Sequence, residues 1–502
     1  MRRILVSILV ISLLLATSIA SANAFVYKKI NAEEAFGRQC IPFADVYVDD
    51  DAPPGWYDET HVRTIQEGIN NVSSGGIVYV FNGIYYEQVS INKSVTLKGE
   101  DRDTTIITSG IISIEVDVVT VSGFTIEDTV EVYGGSEITI SENKIIDENG
   151  DEKAFGIFMY SGSQNIITGN TITNIHGDDT AVGMYIANLS NSIIAGNTLK
   201  DINGVASFAN GILGMELYFN NISGNLITDV NAPMFVYGIF MGGSNTTVTD
   251  NTIIDVYCDG NTYGLFLNGF NLTVASNTVT DISSASGGFV IGIPGSSYSV
   301  VEDNTITNIT GYMWGIDLFE SPNNTIKRND IEGVALGIWL TDSHYNTIDN
   351  NSIRNCKLLQ GWPYSGVGVY IMEATHNYIT HNRFHDNFID ATFKFEHICN
   401  EDEPFKDYKS NRAIPGSFDR LEKDLSNTWC KNYWNQPRIF PVKITGILMV
   451  CNYDYTEYYT TMLNNYDYNP LLSLYSNPQR NSLSGQRNLL NNRLIHTEQN
   501  KK

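Results

Sequence analysis

The chain has 502 residues, of which 42% are hydrophobic and only 17% charged, with a formal net charge of −25. That length can bury a large core. The acidic balance excludes nucleic acid and anionic membrane surfaces as partners, because both require clustered Lys and Arg, and leaves divalent cations, neutral glycans or a cell-wall matrix.

The N-terminus reads Arg2-Arg3, an apolar run from Ile4 to Ala16, then Ala22-Asn23-Ala24. This is the pattern of a secretory signal peptide over 1–24, with the mature chain starting at Phe25. The run is too short to span a bilayer, so we expect export without a stable membrane anchor. Six cysteines are too few for a disulfide scaffold. Cys430 with Cys451 is the first choice for a bridge. Cys258 and Cys356 lie about four repeats, or roughly 19 Å, apart, too far to join.

Residues 25–76 form an opening segment and a capping helix. Val62, Ile65, Ile69 and Val72 share one helical face over His61 to Val72, and Gly75-Gly76 stops it. Strand-like runs follow at Ile77–Val80, Gln88–Ile91 and Val95–Gly99.

A short phrase then recurs. It is Asn143-Lys144-Ile145, and it returns at Asn170, Asn197, Asn225, Asn251, Asn277, Asn304, Asn329 and Asn351, with a looser copy at Asn382-Arg383-Phe384. Each unit holds three short runs separated by turn residues, as in Gly156–Tyr160, Asn165–Gly169 and Asn170–Asn174. No primed two-residue turn joins these runs as hairpins. They therefore pair with the same run of the next unit, and each unit covers the core of its neighbour. The expected fold is all-β: a right-handed, single-stranded parallel β-helix with three sheets and ten or more coils over 77–396. We expect an irregular C-terminal cap over 397–475 and a polar tail over 476–502. The repeated Asn is a structural turn residue, able to adopt left-handed geometry and to stack up the helix. Sequons such as Asn188-Leu189-Ser190, Asn245-Thr246-Thr247 and Asn271-Leu272-Thr273 offer glycosylation sites.

Three stretches resemble the NosD-like β-helix group, also called the carbohydrate-binding and sugar-hydrolase (CASH) domain. They are Thr64–Ile69 through Gly83–Glu87 to Val95–Glu100, the Asn-x-Ile repeat, and Asn432-Tyr433-Trp434 with Asn469-Pro470-Leu471. The resemblance implies the β-helix. It spans polysaccharide lyases, epimerases, hydrolases, copper-site maturation proteins and surface proteins, so it does not select one activity.

Aligned on Gly156, Gly183, Gly211, Gly238, Gly264, Gly292, Gly315, Gly337 and Gly368, the next residue is always aliphatic and points inward. The one after points outward and reads Phe158, Tyr185, Leu213, Phe240, Phe266, Pro294, Asp317, Trp339, Tyr370. Such a file is either a platform on which successive sugars stack or a surface covered by the loops between coils. Three residues beyond Asp317 stands Glu320, with Asp342 and Glu373 at the same place in the next two coils, and Glu216 earlier. Carboxylates spaced by one coil suit Ca²⁺ ligation, acid–base attack on a glycan, or simple exposure to water. Trp314-Gly315-Ile316-Asp317 is similar to the start of the alginate epimerase and lyase motif, without the Pro and His that follow in that family. His344 and His376 fall at nearly equivalent places, compatible with copper or with solvent exposure.

The reading is an exported β-helix protein that binds, and could cleave or modify, extracellular or cell-wall polysaccharide. Asp317, Glu320, Asp342 and Glu373 are the candidate catalytic set. Phe158, Tyr185, Phe240, Phe266, Trp339 and Tyr370 are the candidate sugar contacts. The alternatives are a non-catalytic surface scaffold and a copper-handling protein.

Overall fold

The structure, a computed structural model, describes residues 44–147, 152–361, 365–398, 427–434, 442–451 and 458–467. The expected signal peptide over 1–24, the expected tail over 476–502, and Cys40 and Cys399 lie outside them. Each coil lays one strand in each of three parallel sheets. The first sheet runs from Val89–Ile91 through Lys153–Ser163 and Thr310–Phe319 to Ile389–Ile398. The second runs from Val95–Gly99 to Tyr378–Thr380 and Thr428–Cys430, and the third from Gly83–Tyr86 to Arg383–His385. Strands pair in parallel with the same strand one coil on, as Ile166–Thr168 does with Ile193–Ala195. The all-β solenoid expected from the repeat is therefore present.

The inward position of the first sheet (Ile157, Met184, Ile212, Ile239, Leu265, Ile291, Ile316, Ile338, Val369) is fully buried. Each such side chain contributes about 1.5–3 kcal/mol by leaving water. The glycine ahead of it is required by close approach. A Cβ on Gly156, Gly211 or Gly238 would stand 2.6 Å from the carbonyl oxygen of the equivalent residue in the next coil. In one coil the column departs from the sequence alignment. Gly264 stacks on Val290, and the register pairs Leu265 with Ile291 and Phe266 with Gly292. Gly292 thus takes the outward place assigned to Pro294. Nothing is inserted relative to the preceding coil, since Leu265 to Ile291 spans the same interval as Ile239 to Leu265; Val290 simply stands where the other coils carry glycine.

The repeated Asn side chains form a buried ladder. Asn170 accepts at Oδ1 from both the backbone N–H and the Nδ2 of Asn143, and donates from its own Nδ2 to Ile140 O and Asn197 Oδ1. The left-handed φ belongs to the preceding residue, as in Glu142, Asp250, Ser276 and Asn350, not to the ladder Asn. The Asn is there to satisfy buried backbone groups at the corner, and the turn geometry falls one position earlier.

The capping helix is shorter than its apolar face, Ile65–Asn71, with Thr64 as N-cap. Its first amides donate to Glu87, Ile65 N at 2.8 Å and Gln66 N at 2.9 Å. That carboxylate is held above its ordinary pKa by burial, which these two hydrogen bonds oppose. At the other end, Val442–Cys451 and Tyr458–Asp467 form an antiparallel pair, so ordered strands close the solenoid where irregular chain was expected. Cys430 carries a free thiol. Its neighbour Trp429 pairs with Asp467, while Cys451 pairs with Tyr458 at the far end of the same ten-residue strand. That end is about 30 Å away along the strand, which rules out the expected Cys430–Cys451 bridge.

Candidate functional site

The outward column of the first sheet runs, by strand register, Glu131, Phe158, Tyr185, Leu213, Phe240, Phe266, Gly292, Asp317, Trp339, Tyr370. A second column lies beside it on the residue before each corner glycine: Phe155, Val182, Asn210, Tyr237, Tyr263, Phe289, Trp314, Leu336. Sequence reasoning missed it, although an aromatic before the glycine recurs in several coils. The two columns converge. Phe155 meets Phe158 edge-on at 5.5 Å, Tyr237 meets Phe240 at 5.3 Å, and Tyr263 meets Phe266 at 5.5 Å.

Within each column the rings stack on one another. Phe158 and Tyr185 are 4.8 Å apart at 7°, Phe240 and Phe266 5.1 Å at 13°, and Tyr237 and Tyr263 4.8 Å at 15°. A ring whose faces are taken by its neighbours offers a sugar its edge. The rungs of this file are therefore half-buried, and Phe158, Tyr185, Phe240 and Phe266 turn ring edges, not free faces, outward. Tyr370 is more enclosed still, 3% exposed in a small apolar cluster with Leu336 and Val367, against which Trp314 and Trp339 pack.

Asp317 sits where this lining is densest. Its register neighbour on one side is Gly292, which leaves a gap, and the Phe289 ring lies over that glycine. On the other side is Trp339, edge-on to Trp314 at 4.2 Å. Asp317 is only 6% exposed. Burial among these rings pushes its carboxyl up to about 7, because the charged form loses water and gains no compensating donor. Among the described residues no hydrogen bond reaches that carboxyl. Tyr263 is raised as well, chiefly by burial and then by the Asp317 charge. The indole Nε1 of Trp339 is buried without an acceptor among the described residues. A carboxyl that changes protonation near neutral pH can take or give a proton on a ligand bound beside it.

Glu320, Asp342 and Glu373 do occupy one column. Phe319 pairs with Thr341 and Thr341 with Met372, and the three acids that follow all have left-handed φ of 50°, 48° and 55°. Glu320 and Asp342 are exposed and Glu373 half-buried. They do not form a cation site: their ligand atoms do not converge, and among the described residues only Asp49, Asp50 and Asp51 have that property. The reason is geometric. A straight column sets its first and third backbones two rises, about 10 Å, apart, and the side chains do not turn toward one point. The three acids therefore do not make the convergent ligand set expected of them. The copper expectation fares no better. His344 Nδ1 accepts from Thr375 N at 3.0 Å, while His376 Nδ1 contacts Thr375 Oγ1 at 2.9 Å and its ring stacks on Tyr345. Among the described residues no group of three ligands includes either histidine.

The model of the right-handed β-helix region matches residues 82–238 and 237–396, and the chain belongs to that family. No curated protein matches it. Solved structures similar to it include the Azotobacter vinelandii mannuronan C-5 epimerase AlgE6 A-module, at 14% identity over 65% of this chain and 90% of that one, TM-score 0.34. A mannuronic acid specific polysaccharide family 6 lyase from human gut microbiota is 12% identical over 72% and 82% of the two chains, TM-score 0.32. The Aspergillus niger pectin methylesterase is 14% identical over 57% and 87%, TM-score 0.22.

Proposed function

We propose that the protein is exported, binds an extended polysaccharide along the first sheet, and uses Asp317 to transfer a proton in cleaving or modifying it. The observation that carries this reading is a nearly buried carboxyl, without a hydrogen bond among the described residues and titrating near 7, set among the aromatic side chains of the first sheet. A merely structural aspartate would be paired or solvated. The exposed Glu320 and Asp342 lie one turn further on and serve as the second polar group at the rim.

The test is a panel of polysaccharides incubated with the full chain and with Asp317→Asn, followed by product chromatography. Wild type yields product from at least one polymer, and the variant loses at least about 10²-fold in rate while keeping its binding. Equal turnover by both removes Asp317 from the chemistry. A second reading, a non-catalytic scaffold, is favoured by the self-stacked rings, which brace the solenoid. It is the conclusion if no polymer is bound or altered.

A further inference from the structure

We infer that the polysaccharide is held at two separate points on the first sheet, one at Phe319 in the coil of Asp317 and one at Tyr133 and Tyr160 far along the solenoid, so that the protein selects long chains over short oligomers. The inference rests on the polysaccharide reading above and adds a distal binding site to it.

The first sheet has a further outward position two residues past the Phe158–Asp317 column. It holds Tyr133, its register partner Tyr160, and Phe319. These side chains are 50%, 49% and 45% exposed. Their faces are not spent on neighbours as those of the adjoining columns are. Among the described residues Tyr133 meets Phe158 alone, tilted by 44° at 5.5 Å, and no ring stacks on Tyr160 or Phe319. An open aromatic face gives the apolar face of a sugar a surface to pack on, which a ring edge does not.

The interval between the two points fits a polymer. From Phe158 the coils run through Tyr185, Leu213, Phe240, Phe266 and Gly292 to Asp317. At about 4.8 Å per coil that is about 29 Å, roughly six sugar rings end to end. Past Tyr160 the outer position carries Ala187 and Met215, then Gly242 and its partner Asn268. None is a ring or a charge, and a Cβ on Gly242 would meet nothing within 4 Å. Phe319 shares a face with Asp317 at two residues, about 7 Å, along the strand, so a chain resting on it lies beside the acid.

The surroundings of the distal rings favour a sugar over a protein. Next to Tyr160, Asn188 Nδ2 donates to Ser161 Oγ at 3.3 Å, an exposed pair. Amide and hydroxyl groups beside an amphipathic ring match a sugar's hydroxyls and its apolar face. Two half-exposed rings fall far short of the roughly 800 Å² per partner that a stable protein interface buries. Two weak contacts on one polymer reinforce each other through effective concentration, and an oligomer too short to reach both gains nothing.

Trimer and decamer fractions of xylan, chitosan, polygalacturonate and polymannuronate, titrated into the full chain by calorimetry, test the bridging. We expect the decamer of at least one polymer to bind at least about tenfold more tightly than its trimer. Tyr133→Ala/Tyr160→Ala and, separately, Phe319→Ala should each bring the decamer down to the level of the trimer. Tyr378→Ala removes a half-exposed ring from the second sheet and should keep the advantage. Equal binding of trimer and decamer, an advantage that survives either first-sheet variant, or its loss in Tyr378→Ala overturns this inference and leaves the polysaccharide reading standing. Binding of no fraction overturns both.

Discussion

Gly292 and Asp317 are register partners on adjacent coils of the first sheet, and the side chain that the glycine lacks is replaced by the ring of Phe289. A Cβ at position 292 would lie 2.0 Å from Phe289 Cε2. Gly292→Ala should therefore drive the ring off position 292 and admit water beside the carboxyl. The expected result is a lower pKa for Asp317, with a stability loss of about 1–3 kcal/mol from the forced shift. Infrared difference titration of the carboxyl band, with Asp317→Asn as blank, measures it. An unchanged midpoint in Gly292→Ala would show that Phe289 does not shield the acid.

The same acid makes folding pH-dependent. Unfolded, Asp317 titrates near the ordinary value of 3.8; folded, it titrates at about 7. Between the two the folded chain holds a proton that the unfolded chain has released. The stabilisation this provides is complete below the unfolded value and is lost as pH rises through the folded one. Its size is at most about 4 kcal/mol. Urea unfolding at pH 5 and pH 8 should show wild type losing stability across that interval, and Asp317→Asn losing less. Parallel losses in the two proteins would sink the assignment.

Much of this was legible from residues that recur. The Asn-x-Ile phrase located each coil, and the aliphatic residue after each corner glycine located the core. Glu320, Asp342 and Glu373 were aligned correctly because each directly follows its first-sheet strand, and the long connection ahead of Val367 lies before the glycine that marks that strand. The coil through Gly292 was misaligned because Val290 replaces the corner glycine there, and the glycine two places on imitated the column. What a linear period cannot convey is the lateral approach of neighbouring columns. Asp317 is buried by Phe289, Trp314 and Trp339 across a corner, and the ring faces are consumed by partners a whole coil away. The ladder Asn was recognised as structural, yet its left-handed turn was placed on the wrong residue, because Asn favours both roles and only the backbone distinguishes them.

The ladder supports a further prediction. Asn225 Oδ1 accepts from Asn197 N and Nδ2, each at 3.0 Å, and its Nδ2 donates to Ile194 O at 2.9 Å and Asn251 Oδ1 at 3.0 Å. Asn225→Ala strands the buried Asn197 N–H and Ile194 carbonyl, at a cost of about 1–3 kcal/mol for each unsatisfied group. Asn231, exposed on the third-sheet strand of the same coil, supplies the comparison, and Asn231→Ala should stay within about 0.5 kcal/mol of wild type. Thermal unfolding compares them. Equal melting temperatures for the two variants would mean that the ladder is dispensable.

The corner glycines separate steric need from conformational freedom. Gly238 has no left-handed φ, yet a Cβ there would meet Gly264 O at 2.6 Å and Ile253 Cγ2 at 2.8 Å. Gly242, four residues on and likewise outside the left-handed region, has nothing within 4 Å of its would-be Cβ. Gly238→Ala must push two coils apart and should cost about 1–3 kcal/mol. Gly242→Ala meets no neighbour and reduces the freedom of the unfolded chain, so it should be neutral or stabilising by about 0.4–1 kcal/mol. Denaturant midpoints for the pair decide the matter. If Gly242→Ala destabilises as much as Gly238→Ala, the column is conserved in space for backbone flexibility, and the close contact between coils is not what demands glycine there.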